Sequence, residues 1–262
     1  MTATLLLYRQ ITPLNRDNHR ELKLVTGSGK ADFAKQVHYV PLAGAEFYQA
    51  ARDYPVLFAG GDEAAPVALL GLRKDENLFL ENDGQWAAGT YVPAFVRRYP
   101  FVLADVQKNN EEFTVCIDDA FSGFSTQEGT ALFDTEGKET NYLKGTIEFL
   151  NHFLAEMRRT QEFAETLSKL NLLTKRNLRI SDDRGRRFLL RDFRIIDEAK
   201  LAELDDKTLG ELQRKGYLGW IYAHLISIGN AARLPARLRE ADVSRPAQGE
   251  VLLEPAESES TN

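Results

Sequence analysis

Apolar positions along the chain change period near residue 141. Before that point they fall in short blocks, 55–59, 67–72, 77–81, 101–106 and 112–118, separated by Gly-Gly, Lys-Asp-Glu-Asn, Asn-Asp-Gly and Lys-Asn-Asn. Blocks of this length with turn residues between them predict strands. Connections this short cannot hold crossover helices, so the strands are expected to pair antiparallel, as a meander with one face covered. Residues 37–41 read as a further strand, and 44–54 as a short helix stopped by Pro55, with Phe47, Ala50 and Ala51 on its inner face. In the stretch 91–100, Pro93 and Pro100 bracket a single helical turn.

Beyond residue 141 the repeat is helical. Leu143, Ile147, Leu150, Leu154 and Met157 recur at alternating steps of four and three, and Phe149 and Phe153 widen the stripe. That predicts a long amphipathic helix from near Asn141 to about Leu173. Asn177-Leu-Arg-Ile-Ser and Arg187-Phe-Leu-Leu flank Asp182-Asp-Arg-Gly185, a β-hairpin signal whose second arm extends to Ile196. Three further helices follow: one capped at Asp197, one capped by Asp205 or Asp206 and ending near Gly216, and one over 217–228. The expected fold is α+β, a largely antiparallel sheet (meander plus later hairpin) packed by the long helix and the C-terminal helices. Residues 1–240 form one domain. Residues 241–262, rich in Ser and Glu and without an aromatic residue, read as a disordered acidic and polar tail.

Composition narrows the function classes. A chain 43% hydrophobic and 27% charged has enough apolar material to fold. Its net charge of −6 supplies no general field toward phosphate backbones or anionic lipid, which argues against a nucleic-acid partner. No apolar run approaches the roughly 18–20 residues of a membrane span. The apolar run at 5–8 lacks the basic lead and length of a secretory signal, so the expected location is cytoplasmic, with non-classical export to the cell surface as the alternative. Cys116 is the single cysteine, which excludes an intrachain disulfide and a thiolate metal cluster; its strand-like surroundings suggest a small buried hydrophobe.

Motifs that would fix a reaction are lacking. Thr26-Gly-Ser-Gly-Lys30 has Leu24 and Ala31 where a phosphate loop needs glycine and a hydroxyl, and reads as a turn. His19, His38, His152 and His224 are scattered without metal-ligand spacing, no Gly-x-Ser-x-Gly elbow occurs, and Asp118-Asp119 and Asp182-Asp183 read as solvated turns. No metal or cofactor is expected. His224, one turn from Trp220, reads first as a hydrogen-bonded core histidine. The densest group of interaction-capable side chains is Trp86, Tyr91, Arg97, Arg98 and Tyr99, where guanidinium groups and rings could hold a carboxylate, sugar or peptide, with His38 and His224 as further candidates. The competing reading has the rings covering the sheet and the arginines pairing locally.

Several phrases together resemble the bacterial SapC family: Val40-Pro-Leu with Glu46-Phe47, Tyr54-Pro-Val-Leu-Phe58, Ala68-Leu-Leu-Gly-Leu72 followed by Asn77-Leu-Phe, and Trp86. The similarity continues through Tyr91-Val-Pro-Ala-Phe-Val-Arg-Arg-Tyr-Pro-Phe101, Val115-Cys-Ile-Asp118, Leu132-Phe-Asp134, Gly216-Tyr-Leu with Trp220, and Ala223-His-Leu-Ile-Ser227. It spans residues 8–234, and Arg-Arg-Tyr-Pro-Phe is its most specific part. The family is named for association with the bacterial surface layer, so the resemblance implies a structural or surface-linked role and carries over no catalytic residue; joined to the lack of a catalytic constellation, it leads to the expectation of a non-catalytic protein that binds or assembles with a protein partner. The alternative expectation is a cytoplasmic enzyme or ligand-binding protein acting on a small molecule, peptide or saccharide through the Arg/aromatic group.

Overall fold

The computed structural model describes residues 6–25, 30–60, 64–104, 113–238 and 251–252. Residues 26–29 of the phosphate-loop-like stretch, the outer ends of the predicted strands at 105–106 and 112, and the 241–262 tail apart from Val251 and Leu252 lie outside them. In chain order the strands are β1 (Ile11–Pro13), β2 (Lys23–Leu24), β3 (Tyr39–Pro41), β4 (Val56–Ala59), β5 (Ala65–Leu69), β6 (Phe101–Ala104), β7 (Thr114–Asp118), β8 (Phe124–Ser125), β9 (Thr130–Ala131), β10 (Leu173–Ser181), β11 (Arg187–Ile196) and β12 (Val251–Leu252). The helices are α1 (Phe47–Ala50), α2 (Ala94–Arg97), α3 (Asn141–Lys169), α4 (Glu198–Ala202), α5 (Asp206–Arg214) and α6 (Tyr217–Ser227). A 3-10 segment, Ile228–Arg237, continues α6.

The fold is open α+β, and the blocks before residue 141 are shared between sheets rather than forming one meander. The principal sheet runs β10-β11-β4-β5-β3, with β12 added on β11; a second sheet runs β1-β7-β6, and a small third one β8-β2-β9. Pairing is antiparallel except for β11 with β12. Central β4 is buried at every residue, as expected of a strand covered on both faces. The predicted strand at 77–81 is instead a turn. The Asn77 side chain accepts from the Phe79 N–H (2.9 Å) and donates to the Ala34 carbonyl (3.0 Å), which shapes the turn, and the ladder is reduced to a single antiparallel bridge between Leu80 and Trp86.

Helix α3 ties two apolar cores together. Leu143 and Leu150 near its start pack with Phe101, Ile117 and Leu132 under the second sheet. Further along, Phe153, Phe163, Ala164 and Leu167 join the principal core. The Thr140 hydroxyl caps the start by accepting from the Leu143 N–H. At the end, Asn171 turns left-handed (φ 53°) while the Leu172 N–H donates to the Leu167 carbonyl (2.9 Å) and the Asn171 N–H to Ser168 (3.0 Å), a Schellman stop made with asparagine. The chain passes directly into β10, and Gly185 (φ 77°) closes the hairpin with the Asp182 carboxylate accepting from the Arg184 and Arg186 N–H groups. Asp197 and Asp205 cap α4 and α5, and Gly216 at φ 75° makes the turn into α6. No helix among the described residues is long and apolar enough to cross a membrane.

Candidate functional site

Glu46, not singled out as a site by its sequence, organises part of the predicted Arg/aromatic group. Its carboxylate is 7% exposed and accepts from the Tyr91 hydroxyl (2.8 Å) and the N–H groups of Ala94 (2.6 Å) and Ala43 (3.1 Å). Burial raises its pKa, and these donors and the nearby Arg97 offset only part of that effect. Arg97, exposed, donates to the Tyr91 hydroxyl (3.1 Å) and lies over the Tyr91 and Phe149 rings at 5.7 and 5.3 Å. Burial, followed by the Glu46 carboxylate, pushes the Tyr91 phenol up to about 12. Trp86 joins the group at one remove, because its indole N–H donates to the Tyr54 hydroxyl (2.9 Å) and that hydroxyl donates to the Tyr91 carbonyl.

The other candidates stand elsewhere. Arg98 is 4% exposed and lies among the rings of Phe95 (4.2 Å), Phe153 (5.2 Å) and Tyr8 (5.7 Å). Tyr99 stacks on Phe33 at 3.9 Å and donates to Asp118 (2.9 Å). Asp118, expected in a solvated turn, is fully buried and also accepts from the N–H groups of Arg9, Gln10 and Ala120. Burial works against its ionisation, yet those donors hold the carboxyl below the usual range. This clamp fastens the N-terminal segment to the second sheet. His38 packs edge-on against Tyr39 at 4.8 Å while its carbonyl accepts from the Leu70 and Gly71 N–H groups. Trp86, Tyr91 and Arg97 are thus linked, whereas Arg98, Tyr99, His38 and His224 are not part of that chain.

His224 belongs to a polar seam that orients α6. Helix α6 is apolar around nearly its whole circumference, so hydrophobicity alone does not choose its inward face. The buried side chains of His224, Ser227 and Asn230 make the choice. His224 Nε2 accepts from the Ile196 N–H (3.1 Å), Ser227 Oγ accepts from the Val56 N–H (2.9 Å), and Asn230 Nδ2 donates to the carbonyls of Ala51 (2.8 Å) and Tyr54 (3.2 Å). Each partner is a backbone group at the end of a strand or helix, which would be costly to bury unpaired. Burial pushes the imidazole down to about 3, and the adjacent Val56 backbone offsets only a little of this, so the ring is neutral.

With that seam inward, Tyr222 and Ile226, roughly 160° around the helix from His224, face out. They are 52% and 73% exposed, and Tyr48 of α1, 58% exposed, stands beside them. Between these projections lies an open recess of about 330 Å³, floored by the small residues Ala51, Gly219 and Ala223 and edged by Arg52. Gly219 leaves the room in which the Tyr48 hydroxyl sits, since a β-carbon there would fall 1.8 Å from that oxygen and push the side chain aside. A second open cavity, about 450 Å³, is lined by mixed polar and apolar side chains including Asn15, Arg16, Asp17, Glu139 and Ile147. None of the seven predicted site residues lines either cavity.

Burial pushes the Cys116 thiol up to about 11, and no cluster of three or more His, Cys, Asp or Glu among the described residues could hold a metal ion. What the surface offers is an apolar face with aromatic projections.

The class is therefore an open α+β scaffold, with antiparallel sheets strapped by one long helix and polar seams buried at its joints. The SapC family model matches residues 14–234, and the chain belongs to the SapC family. No curated protein and no solved structure matches it.

Proposed function

We propose that this protein works by binding rather than catalysis, as an assembly component linked to the bacterial cell surface layer, and that a protein partner docks on the α1–α6 face. The observation that carries this reading is the grouping of exposed Tyr48, Tyr222 and Ile226 around a recess of small residues. Exposed aromatic anchors beside a recess, with few charges, are the composition of the centre of a protein interface, where a few such residues supply most of the affinity. Among the described residues Arg52 is the one charged side chain lining the recess, so the fitting partner brings an apolar element with a carboxylate at its rim. The family membership supports the surface-layer link.

Fractionation of the native bacterium tests the proposal, with wild type and Ile226→Glu followed by antibody through cytosol, periplasm, outer membrane and released surface material. Wild type is expected with the surface fractions and the variant displaced from them. Purely cytosolic recovery of wild type, or identical distributions of the two, would overturn it.

A further inference from the structure

The β10–β11 arm carries charge opposite to that of the whole chain. Residues 174–194 hold eight lysines and arginines against three aspartates, in a protein of net charge −6. Two of those aspartates are engaged locally, Asp192 with Lys175 (2.7 Å) and Asp182 with Arg186. The register places Arg179 across from Leu189 and Ser181 across from Arg187, so Arg179, Arg187 and Arg191 share one face. All three are exposed, whereas Ile180, Phe188 and Leu190 on the other face are buried.

The same arm has an edge that accepts a strand. Strand β11 pairs with β4 at Phe193 and Arg194, and N-terminal to these its edge is met by β12, in parallel, at Leu190 and Arg191. The sequence around β12, residues 246–262, contains four glutamates and no lysine or arginine. Val251 and Leu252, within a stretch of acidic sequence, are thus held by backbone pairing on the strand that carries Arg187 and Arg191, the arrangement used in strand-addition recognition.

We propose that the β11 edge beside Arg179, Arg187 and Arg191 is a strand-addition site for an acidic, extended segment of a protein partner, and that the chain's own β12, Val251–Leu252, occupies it until displaced. The backbone ladder favours a peptide over a nucleic acid or lipid headgroup, which would use the charges but not the edge. This surface is separate from the α1–α6 face and is tested independently of it.

The experiment uses the full chain and a fluorescein-labelled synthetic peptide of residues 247–259, read by anisotropy. Val251→Pro/Leu252→Pro removes the two strand N–H groups and frees the edge. Hydrogen exchange along Leu190–Arg191 confirms release: the one amide of the two that faces β12 is protected in wild type and faster in the variant, while the other, facing β10, is unchanged. The proline variant is expected to bind the peptide, and wild type about tenfold or more weakly because its tethered segment competes at high effective concentration. Binding should weaken with salt, with Glu→Gln substitutions in the peptide, and with Arg179→Glu/Arg187→Glu added to the proline variant. Failure of the released edge to bind, equal binding of the Glu→Gln peptide, or tighter binding of duplex DNA or phosphatidylglycerol vesicles would overturn the proposal.

Discussion

The neutral, buried imidazole of His224 makes the fold sensitive to mild acid. Its folded pKa of about 3 lies below the ordinary value of 6.5 expected in the unfolded chain. A depressed value means that the stability from the neutral ring is complete above pH 6.5 and is lost as pH falls toward 3. One unit is worth about 1.4 kcal/mol, so lowering pH from 7.5 to 5 should remove roughly 2 kcal/mol through this residue alone. Glu46, whose pKa is raised, acts in the opposite direction: its destabilising ionisation is relieved in acid, which makes a variant comparison necessary. His224→Gln keeps an acceptor for the Ile196 N–H but does not titrate. Urea midpoints followed by tryptophan fluorescence at pH 7.5, 6 and 5 provide the assay. Wild type should lose about 2 kcal/mol more than His224→Gln across that range. Equal pH dependence in the two proteins would refute the burial argument.

Two glycines on opposite sides of the α6 region should respond differently to the same methyl group. At Gly44 a β-carbon would lie 2.3 Å from the Trp220 ring inside the core, so Gly44→Ala should cost about 1–3 kcal/mol in thermal or urea unfolding. At Gly219 the obstacle is the exposed end of Tyr48, which can swing away, so Gly219→Ala should stay within about 1 kcal/mol of wild type while filling the recess and weakening partner capture. Glu46→Gln sets an amide nitrogen against either the Ala43 N–H or the donors from Tyr91 and Ala94, and should cost about 1–3 kcal/mol in urea unfolding. Cys116, buried and with its thiol pushed up to about 11, should react with a thiol reagent at pH 7.5 only as fast as the protein opens, and at once in denaturant.

What could be read from the sequence followed from periodicity and local chemistry. The stripe in α3, the Asp and Gly residues of the β10–β11 turn, and the capping aspartates of α4 and α5 each act within a few residues. The division of the early strands between two sheets depends on partners far apart, such as Ile11 with Asp118 and Phe193 with Ala59, which a local pattern does not encode. Within the candidate group, adjacency in sequence was a poor guide to adjacency in space. A helical turn separates neighbouring side chains by about 100°, so exposed Arg97 turns to Tyr91 while buried Arg98 turns toward Phe153. The buried carboxylates of Glu46 and Asp118 were hidden for a related reason: a charged residue reads as exposed until the donors that satisfy it are placed around it. The outward face of α6 was hidden because nearly all of that helix is apolar, and polar bonds across the core decide which side turns inward.

Site-specific photocrosslinking in the native bacterium tests the central claim most directly, with a photoreactive phenylalanine replacing Tyr222 and, as a control, exposed Lys144 on α3. An adduct with one defined protein of the surface layer is expected from position 222 and none from position 144. No adduct from position 222, or the same adducts from both positions, would contradict it.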